Sequence, residues 1–349
     1  MSITDTAFGV TGQRAATLFT LEQGDLTVSI TDYGGTVTSI LAPDASGRRG
    51  EVVCGFDSLD GYLSDEYRSN SPYFGCVVGR YAGRIKDGRF SVGGNQFQLA
   101  TNDGANHLHG GVLGFDKRVW EVVEASESPE ADRLTLGLTS PDGEEGYPGN
   151  VNVRVEYELT STGEFRIRYL AETDAVTPLS LTNHTYFNLN GFTGSVLDHV
   201  VTLKSDRYLV PDESNVPTGG DQQVAGTAAD FNTAKRLGDA FQELPLGFEH
   251  YYLFEDTDDA LRSVAEIYAP STGRRLDVAT TEPGALFYTG RYTSKALRRE
   301  SGDQYGPFRG FCLETSKYPN GPNIVGSPRS WLDPAESYRE ETTYTFGVI

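Results

Sequence analysis

Apolar and polar positions along this 349-residue chain alternate with the period of short strands. Val151-Asn152-Val153-Arg154-Val155-Glu156-Tyr157-Glu158-Leu159 alternates strictly, and after the turn Ser161-Thr162-Gly163 the run Phe165–Leu170 does so again. Successive strand side chains point to opposite faces, so each run buries one face and leaves the other in water. A second pair, Val264–Ala269 and Arg275–Ala279, is joined by Pro270-Ser271-Thr272-Gly273. Shorter strands are predicted at Ala15–Leu21, Asp25–Thr31, Thr36–Leu41, Val52–Phe56, Arg118–Val123 and Leu134–Thr139. Others are predicted near the end, at Ala285–Tyr288, Gly310–Leu313 and Tyr344–Val348.

Lys86-Asp87-Gly88-Arg89 is expected to close a hairpin onto Phe90–Val92, because Asp-Gly accepts the positive φ angles of a tight turn. Helical periodicity is nearly absent. Ser58 is expected to cap one helical turn, and Thr233–Phe241 is the best longer candidate. Many antiparallel hairpins without alternating helices predict an all-β fold: one large antiparallel β-sandwich with little helix, forming a single domain over residues 1–349.

Composition supports strands over helices, with 40 Gly, 18 Phe, 19 Tyr and a single Met. No run of 18 apolar residues is present, so no membrane span is predicted. The start, Met1 to Thr6, lacks the basic and apolar regions of a signal peptide. Cys54, Cys76 and Cys312 are odd in number and lack metal-ligand spacing, which fits buried thiols in a reducing, cytoplasmic compartment. A net charge of −20 argues against nucleic acid as a partner. Only six of the 29 basic residues are Lys. Many carboxylates with few lysines suit a high-salt cytoplasm, where self-repulsion is screened. A GC-rich genome would give part of the same bias, and composition leaves both open.

Candidate chemistry lies on loops and strand ends. The chain has five histidines, at 107, 109, 184, 199 and 250. His184, in Asn183-His184-Thr185-Tyr186, follows an apolar strand and is either a positioned proton donor or a hydrogen-bonded structural residue. His107-x-His109 has the spacing of half a cupin-type metal site, but Gly110 to Phe115 offers no carboxylate, so no metal is expected. Arg80 and Arg84 read as a solvated strand face unless a ligand lies between them. In Gly310-Phe311-Cys312-Leu313-Glu314-Thr315, alternation puts Glu314 on the face of Cys312, which seeks the interior. A carboxylate there would be desolvated, its pKa raised, and its strength as a base increased. No nucleophile elbow, P-loop or dinucleotide fingerprint follows a strand. The residues alone stop at a β-sandwich with a His, Arg and Glu site for a polar small molecule.

Five stretches, taken in order, resemble the aldose 1-epimerase (galactose mutarotase) family. They are Gly79 to Ile85, Asn106 to Gly111, Leu181 to Leu189, Phe287 to Gly290 and Gly310 to Thr315. The resemblance covers about residues 25–349 and implies a large antiparallel β-sandwich that interconverts the α and β anomers of a free aldose such as galactose or glucose. Such a reaction needs neither metal nor redox cofactor, and its partner is a small-molecule sugar.

By position in the motifs, His184 resembles the general acid and Glu314 the base, with Arg84, His109 and Glu249 on substrate-binding positions. The resemblance also implies that His184 is protonated at rest, favoured by nearby carboxylates. Tyr186 and Tyr288 are candidates for stacking on the sugar. Three positions depart from the family pattern, all on the binding side: Gly83 where Asn is usual, Glu249 where Asp is usual, and Leu286 where many members carry Gln. A sugar-phosphate epimerase and a non-catalytic carbohydrate-binding module are the alternatives. The first needs a basic cluster, and the second gives no reason for keeping both His184 and Glu314.

Overall fold

A computed structural model describes residues 3–254 and 260–349. Three antiparallel sheets carry the architecture. The first is a meander of Thr4–Thr11, Arg14–Gln23, Leu26–Thr31, Thr36–Pro43 and Arg49–Glu51. The second has nine strands, in the order Glu121–Glu127, Ala131–Ser140, Val151–Thr160, Glu164–Thr173, Tyr338–Val348, Arg274–Thr280, Arg262–Tyr268, Val200–Leu203 and Lys235–Arg236. The third runs Pro217–Gln223, Arg207–Pro211, Glu249–Leu253, Gly284–Tyr288 and Cys312–Ser316. Among the described residues no helix is long and apolar enough to cross a membrane.

The alternation seen in the sequence becomes the two faces of the nine-stranded sheet. Val151, Val153, Val155 and Tyr157 are buried, as are Phe165, Ile167 and Tyr169 opposite them, with Val155 paired to Tyr169 and Tyr157 to Ile167. Together with Leu21, Val28 and Ile30 of the first sheet and Tyr252, Phe287 and Leu313 of the third, they form one apolar cluster. On the opposite face Arg168 pairs with Glu156 and Glu341, and Glu158 with Arg133 and Arg166, in a ladder across four strands. Such cross-strand opposite charges hold register without entering the core.

Several sequence expectations shift, each for a local reason. The tight turn lies at Gly93-Gly94, whose φ angles of 59° and 80° join Arg89–Val92 to Asn95–Gln98. Asp87 and Gly88 do take positive φ, but they lead out of Arg84–Ile85, which pairs with His107–Leu108 instead. Helix begins only at Leu237, because Lys235–Arg236 is held in a ladder with Val200–Val201. Ser58 stands at the N-cap of Leu59–Leu63, yet its hydroxyl bonds Glu300 and makes no cap. Val52–Phe56 forms no strand; Val53 makes an isolated bridge to Phe187.

The strand bearing Glu314 runs Cys312–Ser316, three residues beyond its expected end. Its ladder with Gly284–Tyr288 continues through Leu286↔Glu314 to Gly284↔Ser316. Glu314 therefore sits within a strand and not at its exit.

Candidate active site

The His184 segment is held from the backbone outward. Thr182–Asn183 pairs with Val77–Val78. The His184 N–H then donates to the Cys76 carbonyl (2.9 Å), and the Gly75 N–H donates to the His184 carbonyl (2.9 Å). Asn183 reaches the Gly75 carbonyl with its side-chain amide (2.8 Å). Its imidazole lies between two near-parallel tyrosines, Tyr73 at 5.8 Å and Tyr186 at 5.0 Å between ring centroids. Tyr186 thus stacks on the histidine itself. Its Nδ1 edge meets the Cys312 thiol at 3.6 Å, and Nε2 stands 3.3 Å from Glu314 Oε1.

Glu314 arrives from the third sheet, on the same side of its strand as Cys312. Both groups are buried, and Glu314 Oε1 makes no hydrogen bond despite its closeness to Nε2. Burial governs the electrostatics. It pushes the His184 imidazole down to about 3. Glu314 is pushed up to about 8, by burial first and the charge of Glu249 second, against the opposing pull of Arg84. The expectation of a protonated His184 at rest is overturned here, because desolvation outweighs any carboxylate attraction. Near neutral pH the pair holds one proton, on the carboxyl.

The two groups open into a cavity of about 260 Å³, together with Arg84, His109, Glu249 and Tyr288. Arg84 donates through Nε to Asp103 (2.6 Å) and through Nη1 to Glu249 (3.2 Å). Asn215 donates to the same Glu249 oxygen. His109, at φ 50°, turns its ring edge-on to His184, 5.3 Å away. Its Nδ1 accepts the Gly83 N–H (3.2 Å), so the neutral ring carries its proton at Nε2. Burial first, reinforced by the positive charge of Arg84, holds it neutral.

The ligating atoms of His109, His184 and Glu314 lie within 4.8 Å of one another, a cluster that could hold a cation. A metal would first have to strip the Nε2 proton from His109 or break its bond to Gly83. The arrangement suits a hydrogen-bond donor better than a ligand.

All five residues singled out from the sequence, Arg84, His109, His184, Glu249 and Glu314, line this one cavity. Other candidates lie apart from it. Arg80 is buried and spends its guanidinium on Ser140, Pro141 and Pro148. His107 bonds the Ala100 carbonyl (2.7 Å) and the Tyr147 hydroxyl (2.8 Å). His250 packs edge-on against Tyr208. Sequence reasoning missed Tyr73, Asp103 and Asn215 as wall residues, and Cys312 as the neighbour of His184. The positions of Asp103 and Asn215 in Gly- and Ser-containing turns are their only cue.

The departures at 83 and 249 have physical reasons. A Cβ at Gly83, where φ is 79°, would come 2.9 Å from the Pro319 side chain. The longer Glu249 carboxylate is shared between Arg84 and Asn215.

Fold and site together define a β-sandwich protein whose cavity sets an imidazole against a carboxyl. The chain belongs to the aldose 1-epimerase family, whose description matches residues 17–345. It is 41% identical over 352 residues to galactose mutarotase of Bos taurus, covering 100% of this chain and 99% of that one. It is 32% identical over 342 residues to aldose 1-epimerase of Escherichia coli strain K12, covering 96% of both. Among solved structures, the GalM/aldose epimerase homologue of C. elegans superposes with a TM-score of 0.85 at 26% identity, covering 96% of this chain and 100% of that one. Galactose 1-epimerase of Lactobacillus acidophilus gives 0.83 at 28% identity, covering 99% of each.

Proposed function

We propose that the protein is a carbohydrate isomerase, an aldose 1-epimerase that interconverts the α and β anomers of a free aldose such as galactose or glucose, with His184 as acid and Glu314 as base. The observation that carries the residue roles is the 3.3 Å approach of His184 Nε2 to Glu314 Oε1 inside one buried cavity.

The reaction moves one proton from O1 to O5 and back. With cyclic sugar bound, the pair's single proton sits on His184 and the carboxylate faces the C1 hydroxyl. Glu314 takes the O1 proton as His184 Nε2 delivers its own to the ring oxygen. The C1–O5 bond breaks, C1 becomes an aldehyde, and the C1–C2 bond rotates. Return of both protons closes the ring on the other face. The state after opening, with neutral His184 and protonated Glu314, has the protonation that burial favours in the empty cavity. The opposed pKa shifts thus favour the proton arrangement that ring opening produces.

His109 offers an N–H, and Arg84 a rigid fork, to sugar oxygens. Glu249 accepts from hydroxyls with the oxygen that Arg84 and Asn215 leave free. The cavity lies below the roughly 300–1,000 Å³ typical of drug-sized sites, which suits a single sugar. Arg84 is the sole Lys or Arg lining it among the described residues, and it is already paired with two carboxylates. Nothing there favours a phosphorylated substrate. The whole chain, 1–349, acts as one domain in the cytoplasm, without a nucleic-acid or membrane partner.

Polarimetry of freshly dissolved α-D-glucose and α-D-galactose tests the reading. Both rotations should relax faster than in buffer. Relaxation no faster than buffer for either, with acceleration of a hexose 6-phosphate, would move the assignment to sugar phosphates.

A further inference from the structure

His184 has two ring edges, and the reaction uses one. Among the described residues the polar side chain at the other, Nδ1, is the thiol of Cys312, 3.6 Å away and wholly buried. Cys312 and Glu314 lie two residues apart on one strand, so the same strand face presents the thiol to Nδ1 and the carboxyl to Nε2.

We propose that Cys312 is the positioning residue for His184: its sulfur accepts the Nδ1–H in both charge states and leaves Nε2 as the nitrogen that gains and loses the proton. This rests on the acid role of His184 given above.

The argument is one of tautomers. A histidine that delivers its proton from Nε2 and takes it back there must keep Nδ1 protonated while neutral. Buried as it is, that N–H needs an acceptor, since a buried N–H without one is costly. If the thiol donated to Nδ1 instead, the neutral ring would carry its proton at Nε2, and that edge could not accept one from O5. The choice of sulfur has a second effect. A carboxylate or carbonyl at Nδ1 would stabilise the imidazolium strongly, whereas sulfur is a weak acceptor. The imidazolium is left a strong acid, which suits protonation of a weakly basic ring oxygen.

Apart from the residue's own backbone, which also hydrogen-bonds the ring, the groups facing the imidazole do not compete for Nδ1. Tyr73 and Tyr186 lie against its two faces, His109 meets it edge-on, and Glu314 stands at Nε2. Arg84 and Lys117 add positive charge to the His109 side.

The test is ¹⁵N NMR of the histidine-labelled protein, with the His184 resonances assigned by their loss in His184→Asn, alongside pH profiles of mutarotation for Cys312→Ser and Cys312→Ala. Neutral wild-type His184 should be protonated at Nδ1. The alanine variant should lose that preference, with kcat down about tenfold, a fraction of the roughly 10²–10⁴-fold that a whole acid–base group contributes. The serine variant should keep the Nδ1–H tautomer, because its hydroxyl oxygen is the better acceptor. Its imidazolium should also titrate at higher pH than in wild type. An Nε2–H tautomer in wild type, or an alanine variant with wild-type tautomer and pH profile, overturns the proposal. The tautomer readout needs no activity, so a wild-type protein that fails to mutarotate sugars would sink the functional reading and leave this result to be judged alone.

Discussion

Leu286 and Glu314 are direct partners across the ladder of the third sheet, so an aliphatic side chain flanks the carboxyl group on its own face of the cavity. Burial is the largest cause of the raised Glu314 pKa, and Leu286 is one of the side chains that supply it. Leu286→Gln would place an amide donor beside the carboxylate and favour its charged form. The alkaline limb of the kcat/KM profile should move to lower pH by about one unit, within the range for a new hydrogen bond to a carboxylate. A limb that stays in place would show that Leu286 does not set the carboxyl's titration.

The wild-type pH profile follows from the two opposed shifts. His184 is neutral above about 3 and Glu314 protonated below about 8, so between these values the pair holds one proton. As pH rises through about 8 that proton leaves, and no acid remains to protonate O5. Below about 3 a second proton binds and removes the base. Both limits belong to the coupled pair and not to either residue. Activity should be level near neutrality and fall about tenfold per pH unit well above the upper limit, as loss of one proton requires. Initial rates between pH 6 and pH 10 check this.

Replacing either member should strike the chemical step. His184→Asn and Glu314→Gln are each expected to lower kcat by about 10²–10⁴-fold, with smaller changes in KM. Glu314→Gln should melt close to wild type, because the carboxyl oxygen facing His184 makes no hydrogen bond to lose. Full activity in both variants would exclude the mechanism.

Glu249→Ala should act on binding. It removes the acceptor shared by Arg84 and Asn215 and frees the guanidinium to swing toward Asp103. KM for galactose should rise about tenfold while kcat changes less, the pattern of a lost ground-state contact. Steady-state mutarotation at several sugar concentrations separates the two.

The acidic surface predicts a response to salt. The outer strand Glu121–Glu127 exposes Glu121, Glu124 and Glu127 at the edge of the nine-stranded sheet, on a chain of net charge −20. Screening relieves such repulsion. Solubility and activity should rise with salt, and a flat response from low to molar salt would count against a high-salt origin.

The sandwich was legible wherever a strand is buried on one face. Val151–Thr160 and Glu164–Thr173 emerge within a few residues of their expected bounds, because alternation and burial are the same fact there. Pro217–Gln223 was not, since Thr-Gly-Gly-Asp-Gln-Gln has no apolar face and is a strand only through its pairing with Arg207–Pro211. For the site, motif order located His184 and Glu314, and alternation alone placed Glu314 with Cys312. The resting charge of His184 was misjudged because net composition says nothing about local desolvation. Asn215 and Asp103 meet Glu249 and Arg84 only through space, and no spacing along the chain encodes that.

On the proposed mechanism, the placement of His184 and Glu314 side by side in one cavity also decides what the reaction exchanges with its surroundings. The proton that leaves O1 and the proton that reaches O5 are traded with two groups 3.3 Å apart, and the pair ends each cycle with the count it began with. A turnover therefore draws no hydrogen ion from bulk water and returns none. Buffer molecules have no step to assist, and the anomeric equilibrium itself is left where solution chemistry put it.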